Sequence, residues 1–333
     1  MKPRPAGEIP SPAGRFLSDP SGTVTDMIWH DLPYQGPFDL TASTRFLEGF
    51  APAARPDAAA SAGELRLAFP AAPSWRPVGV LVHQPEPNGP VRARVFTDSA
   101  DPSDVDAALE HVRRILSLDV DGSGFAAVGA RDPVVAELQR RYPGLRPVTF
   151  HSPYEAACWT IISHRIRIVQ AARLKEKLAE RFGTPVDVAG VQLPTFPAPN
   201  ALPERVPLVS ELKSDRLHAV AEAALAGRLN PADLRALPPD EAIAKLRELP
   251  GIGPFSAELI LLRGAGHPDG FPTAEPRLHN EMTHAYALTE PTVADLATIA
   301  EAWRPYRTWV ALLLRTRREE ETAEIATGHR AHR

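Results

Sequence analysis

Leu249-Pro250-Gly251-Ile252-Gly253-Pro254-Phe255-Ser256-Ala257 is the stretch on which the fold turns. Before it, Ile243, Leu246 and Leu249 recur at helical spacing; after it, Ala257, Ile260 and Leu261 mark a second apolar face running to Arg263. Pro250, Gly251, Gly253 and Pro254 break any helix across the link. Two helices joined by a Gly-x-Gly turn make a helix-hairpin-helix. The glycines permit a tight turn, so the N–H groups opening the second helix can face an anion. For such a hairpin the usual anion is a nucleic-acid phosphate, whose capture positions a protein without reading sequence. Taken alone, the stretch reads equally as an ordinary αα turn with a glycine pair.

Downstream lies Arg263-Gly-Ala-Gly-His-Pro-Asp-Gly-Phe-Pro-Thr-Ala-Glu-Pro-Arg-Leu278, a Gly/Pro-rich loop ending in a carboxylate just before a new helix. Hairpin and loop together resemble the helix-hairpin-helix/Gly-Pro-Asp superfamily of DNA glycosylases. The similarity is to its DNA-3-methyladenine glycosylase II type, which excises alkylated bases, and it runs from about 35 to 316. In that family a single Asp closes the loop, at the fifth position counting on from the loop's Phe. Here that position is Glu275, which the resemblance makes the catalytic carboxylate. Asp269, in a Pro-Asp-Gly context, reads as a turn residue.

At 333 residues and 44% hydrophobic, the chain is long enough for two domains with cores of their own. A net charge of −4 makes it no general polyanion binder, so nucleic-acid contact must come from a local patch. The lone Cys158 excludes an intramolecular disulfide, a four-cysteine zinc site and a four-cysteine iron–sulfur cluster. No apolar run approaches a membrane span and no leader is evident, so the expected location is the cytoplasm.

The expected fold class is α+β, a small antiparallel-sheet α/β domain followed by an all-helical helix-hairpin-helix domain. Residues 1–22, proline-rich, read as a flexible tail. Residues 23–118 form the first domain. Leu65, Leu67 and Phe69 alternate, Val78–Val82 and Val91–Phe96 are further strands, and Asn88-Gly89 signals a hairpin. A helix follows with Ser103 as its N-cap and Val105, Ala108, Leu109, Val112 and Ile115 on its apolar stripe. Pro37-Phe-Asp-Leu40 through Phe50 resembles the start of the small domain preceding the catalytic one in the alkyladenine family.

Residues 119–318 read as the helical domain. Asp132-Pro133 starts one helix; Ser152-Pro153-Tyr-Glu155 starts another with a capping box. Between 163 and 182 stand six Arg/Lys against two Glu, with Gly183 as C-cap. A solvated amphipathic face explains this; so does a DNA-facing one. In the resembled family a Gly-Gln-Gln or Gly-Gln-Leu type turn sits here and its last residue wedges into the duplex. The matching residues are Ser163, His164 and Arg165, a guanidinium replacing the apolar wedge. Residues 184–207 read as a proline-rich crossing loop, Thr292-Val-Ala-Asp295 as a capped helix start, and 319–333 as a charged tail.

Trp303-Arg-Pro-Tyr-Arg-Thr-Trp309 resembles the last helical region of the same family, where the aromatic at the Trp303 position lines the base pocket; plain core is the other reading of Trp303. Phe255, opening the second hairpin helix, is the second pocket aromatic. In family members with lyase activity a Lys stands at that place, so Phe255 implies a monofunctional, water-using enzyme. Lys245, on the preceding helix one turn before the hairpin, is expected to face solvent.

Alkylation at purine N3 or N7 makes the base a cationic leaving group. The enzyme then has to flip the nucleotide and place negative charge beside an oxocarbenium-like sugar. Glu275 precedes Pro276 and so occupies an N-cap position, for which Glu is poorly suited. A locally broken rule marks function. The expected partners are thus duplex DNA with alkylated bases, met by a monomer through Gly251, Gly253, Ser256, His164 and Arg165. No cofactor is required, apart from a structural Na or K ion at the hairpin carbonyls of Leu249 and Gly251. The alternative is a damage-binding protein of the same fold with little or no turnover.

Overall fold

The structure is a computed structural model that describes residues 16–18, 24–26, 28–50, 63–99 and 101–323. Its first part comprises β1 (Phe16–Ser18), β2 (Val24–Asp26), β3 (His30–Asp31), α1 (Leu40–Gly49), β4 (Glu64–Ala71), β5 (Arg76–His83), β6 (Arg92–Thr97) and α2 (Pro102–Ile115). The rest comprises α3 (Phe125–Arg131), α4 (Pro133–Arg141), α5 (Pro153–Ser163), α6 (Ile168–Phe182), β7 (Pro185–Val188), β8 (Val191–Pro194), α7 (Glu211–Leu225), α8 (Pro231–Ala236), α9 (Pro239–Leu246), α10 (Pro254–Leu259), α11 (Pro276–Ala285), α12 (Val293–Ala300) and α13 (Arg307–Thr322). A π-helical turn, Ile260–Gly264, extends α10.

The sheet is antiparallel in the order β1-β2-β6-β5-β4, with β3 also on β6. Leu67 faces Val80, and Val80 faces Val95, across neighbouring strands. Strand periodicity therefore sends Leu65, Leu67, Phe69, Val78, Val80, Val82 and Val95 to one face, where α1 and α2 cover them. The other face carries Ala68, Leu81 and Phe96, and these pack under Val186, Val188 and Leu193 of the β7–β8 hairpin. The hairpin can settle there because Gly79 lacks a Cβ, which would lie 2.4 Å from a Val188 methyl.

That hairpin corrects two expectations. The second part is not all-helical, and 184–207 is not a plain crossing loop: Pro185 and Pro194 bracket a two-stranded unit whose alternating Val186 and Val188 point at the sheet. Ala189 and Gly190 make the turn with φ of +53° and +82°. Prolines at the strand ends do not interrupt pairing, which is why their density misleads. Two further expectations change and a third, the Gly183 cap, holds. Asp101, not Ser103, caps α2, because Pro102 takes N1 and the Asp101 carboxylate accepts the Ser103 N–H at 2.9 Å. Ser152 caps α5 as expected, but the Glu155 side chain leaves the capping box for Lys175 Nζ at 2.6 Å and His151 Nδ1 at 3.2 Å. Gly183 caps α6 in extended backbone, needed because a Cβ there would lie 1.8 Å from the Thr195 carbonyl.

Phe16–Ser18, within the expected N-terminal tail, pairs as β1 with β2, whereas residues 1–15 lie outside the described ones. At the other end α13 runs to Thr322, with Arg141 pairing Glu320 and Glu321 at 2.9 and 2.8 Å; residues 324–333 lie outside the described ones.

Two buried arginines fasten the parts together. Arg146, 1% exposed, donates to the carbonyls of Gln35, Pro37, Ser117 and Val120. Arg114 donates to those of Phe150, His151 and Gly264. Each guanidinium spends its several donors on loop carbonyls from different segments of the chain. Cys158 is free and buried in the helical core. No helix among the described residues is long and apolar enough to cross a membrane.

Candidate active site

The hairpin forms as its glycines require. Gly251 adopts φ +84°, a left-handed conformation only glycine takes without strain, and the Ile252 N–H closes the turn on the Leu249 carbonyl at 3.1 Å. Arg216 of α7 lies directly over Gly251, where a Cβ would come within 2.6 Å of its Cδ. Gly253 is extended and has open space above it, with nothing within 4 Å of where a Cβ would be. It supplies no side-chain cap to α10. The first N–H groups of that helix, at Phe255 and Ser256, start next to this open space, with the positive end of the helix dipole behind them.

Basic groups converge beside this turn. His164 and Arg165 follow α5 in an exposed turn, with Arg165 at φ +62°. Lys213 of α7 ties that turn down by donating to the carbonyls of Ile162 at 2.8 Å and His164 at 3.0 Å. Partial burial, together with the charges of Arg165, Lys213 and Arg216, holds the His164 imidazole below its ordinary range. One short arc thus holds His164, Arg165, Lys213, Arg216 and the glycine hairpin. Lys213 and Arg216 were not legible as part of it, since on α7 they look like ordinary solvated positions.

Phe255 is 45% exposed at the mouth of α10. Trp303 is not exposed at all. Its indole N–H donates to Asp132 at 3.0 Å, Asp132 also accepts from the Tyr286 hydroxyl at 2.7 Å, and the ring backs Phe271 of the loop at 6.3 Å. Of the two expected pocket aromatics, only Phe255 presents a face; the plain-core reading describes Trp303, which supports the loop from behind. Lys245 is exposed on α9.

Glu275 stands at the N-cap of α11 and makes no capping hydrogen bond. Its carboxylate instead meets Arg315 of α13, Nε to Oε1 at 2.8 Å. A second guanidinium, Arg263, feels it too: burial lowers the Arg263 pKa while the Glu275 charge raises it. Asp269 is fully engaged, one oxygen with Arg304 at 2.7 Å and the other with Arg307 at 2.8 Å, which makes it a structural turn residue.

The loop that carries Glu275 is anchored from the hairpin's own helix. Glu258 on α10, 5% exposed, accepts the Thr273 N–H at 3.0 Å, the Thr273 hydroxyl, and the Ala274 N–H at 3.0 Å. A buried carboxylate accepting two main-chain N–H groups is a strong, charge-assisted fixture. Through it the hairpin and the carboxylate loop form one unit. Sequence reasoning missed both Glu258 and Arg315, although a Glu flanked by Ala257 and Leu261 on an apolar face was a signal to be read. No group of three His, Cys, Asp or Glu side chains among the described residues could hold a metal ion.

No family model matches the chain. The chain is 24% identical over 213 residues to the DNA-3-methyladenine glycosylase of Bacillus subtilis, covering 62% of this chain and 70% of that protein. It is 29% identical over 236 residues, 69% of its length, to a Mycobacterium tuberculosis protein named "Probable bifunctional transcriptional activator/DNA repair enzyme AlkA", of which it spans 46%. Among solved structures, the 3-methyladenine DNA-glycosylase from Archaeoglobus fulgidus superposes with a TM-score of 0.71 at 19% identity, over 89% of this chain and 99% of that one.

Proposed function

We propose, from its similarity to DNA-3-methyladenine glycosylases and its glycine hairpin, that this chain excises alkylated bases from duplex DNA by hydrolysing the N-glycosidic bond, as a step of base-excision repair. The observation that carries the reading is the Glu258 anchor: the helix whose N-terminus would take a phosphate also fixes the loop bearing the carboxylate. A phosphate held at the hairpin therefore sets where the sugar lies relative to Glu275.

The steps follow from the chain's own groups. The open amides at Phe255 and Ser256, beside Gly251 and Gly253, take a backbone phosphate, with Arg216 and Lys213 adding charge. Arg165, with His164 beside it, fills or flanks the space left when the damaged nucleotide flips out, its guanidinium stacking on the neighbouring bases. Phe255 stacks on the electron-poor base. Glu275 places negative charge beside the oxocarbenium-like sugar and orients the attacking water. With Phe255 where lyases carry their amine, no Schiff base forms and the enzyme is monofunctional. A Na or K ion at the hairpin would be held by the Leu249 and Gly251 carbonyls, the first already taking the Ile252 N–H and keeping one lone pair.

One observation favours a second reading, a damage binder with little turnover: Arg315 partly offsets the Glu275 charge. Release of free base from methylated duplex DNA, wild type beside Glu275→Gln, separates the two. Release that collapses in the variant supports the glycosylase; binding without release by either protein supports the binder.

A further inference from the structure

We propose that Arg315 is a positioning residue for Glu275, and that this guanidinium is what makes a glutamate the working acid at this place. The proposal rests on the reading of Glu275 as the catalytic carboxylate.

The acids around the loop differ in what they have left to give. Both oxygens of Glu258 are committed to the loop backbone, and both oxygens of Asp269 to Arg304 and Arg307. Glu275 has one oxygen paired, Oε1 with Arg315 Nε at 2.8 Å, and Oε2 has no partner among the described residues. It is the one acid of the three that is both held and free to act.

The arginine's side of the contact is equally telling. Arg315 follows the buried run Leu312-Leu313-Leu314, and its side chain is only 16% exposed. Among the described residues its contact with Glu275 is its one ion pair, and Nη1 is buried and makes no hydrogen bond. A guanidinium carries five donors, and enclosing it for one contact with another nitrogen unsatisfied is a poor arrangement for stability. Buried unsatisfied groups of this kind need an explanation, and function is one.

The chemistry supplies it. A glutamate carries one more rotatable bond than an aspartate, so its charge at an N-cap without a capping bond is loosely placed. Gripping Oε1 removes that freedom and leaves Oε2 directed for the sugar and water. An aspartate, a methylene shorter, cannot keep a 2.8 Å contact with Arg315 without moving the loop that Glu258 fixes.

The test is single-turnover base release from methylated duplex by wild type, Arg315→Met, Arg315→Lys, Glu275→Asp and the Glu275→Asp/Arg315→Met pair. Lesion-duplex Kd and melting temperature are measured beside each. Arg315→Met is expected to slow release by roughly 10- to 100-fold with Kd unchanged, as for a small misplacement of a reacting group. Arg315→Lys recovers part of that rate. Glu275→Asp is slowed comparably, and adding Arg315→Met to it costs little more, because the pair acts as a unit. A wild-type rate in Arg315→Met, or losses that multiply in the double variant, overturns the proposal while leaving the glycosylase reading intact. Loss that only follows a fall in melting temperature, without recovery by Lys, also overturns it. Absence of base release by the wild type overturns the catalytic reading of Glu275 and this proposal with it.

Discussion

Glu258→Gln tests whether the hairpin helix sets the position of the carboxylate loop. In the native protein the buried carboxylate accepts from Thr273 N–H, the Thr273 hydroxyl and Ala274 N–H. The amide keeps one oxygen to serve Thr273, but turns an NH2 group towards the Ala274 N–H, donor against donor. One charge-assisted bond, about 1.5–3 kcal/mol, is lost, and a buried N–H is left unpaired at about 1–3 kcal/mol. The two remaining bonds fall to neutral strength. The sum, about 2.5–6 kcal/mol, acts on a short loop, which escapes most of it by moving away from α10. Glu275 follows directly after Ala274 and moves with it. A displacement near 1 Å predicts a fall of about 100-fold in the rate of base release. The hairpin amides and the His164–Arg165 turn are untouched, so lesion-duplex affinity stays within about threefold of wild type. Single-turnover release and an equilibrium binding titration measure the two quantities on the same protein. A variant that binds normally and releases base at the wild-type rate would refute the idea that α10 positions Glu275. One that loses affinity and rate together would show that Glu258 supports the hairpin instead.

Two other outcomes follow from the same geometry. Gly253→Asp fits the extended backbone and the open space above it, and caps α10, raising stability by a few tenths of a kcal/mol. It also sets a negative charge where a phosphate is to bind, so duplex affinity should drop at least tenfold in low salt while the melting temperature holds; unchanged affinity would remove the hairpin from the interface. His111 tests the packing between the parts. Burial, then Arg114 and His151, pushes its imidazole down to about 3, whereas the unfolded chain protonates near 6.5. Between those values the unfolded state binds more protons, so stability falls as pH drops from 6.5 towards 3. The slope approaches about 1.4 kcal/mol per pH unit below 6.5, so this site alone removes about 1.6 kcal/mol between pH 6.5 and 5. His111→Leu, which also removes a buried unpartnered Nδ1, should show a shallower slope by that amount in denaturant titrations. An equal slope would mean the site stays solvated.

What could be read from the chain and what could not divides along a physical line. Gly251 was legible because a left-handed turn demands glycine, and Asp132, Ser152 and Thr292 because a helix start needs an acceptor at its cap. Such demands are local, and a single sequence displays them. The β7–β8 hairpin was hidden because its reason for existing is remote: Val186 and Val188 need the face of a sheet built from residues 64–97, and Gly79 there is the complement. Trp303 was ambiguous because an aromatic beside a pocket and one behind it have the same neighbours in sequence; only Asp132 and Tyr286, far along the chain, decide between them. The groups that govern Glu275 were hardest. Glu258 and Arg315 are charged residues on helices, and such residues are ordinarily solvated. What distinguishes them is burial against one loop, where Glu258 holds the backbone and Arg315 one oxygen of the carboxylate it carries. A resemblance at the position of Glu275 therefore identifies the acid, but its aim is set by two side chains that no local pattern around it announces.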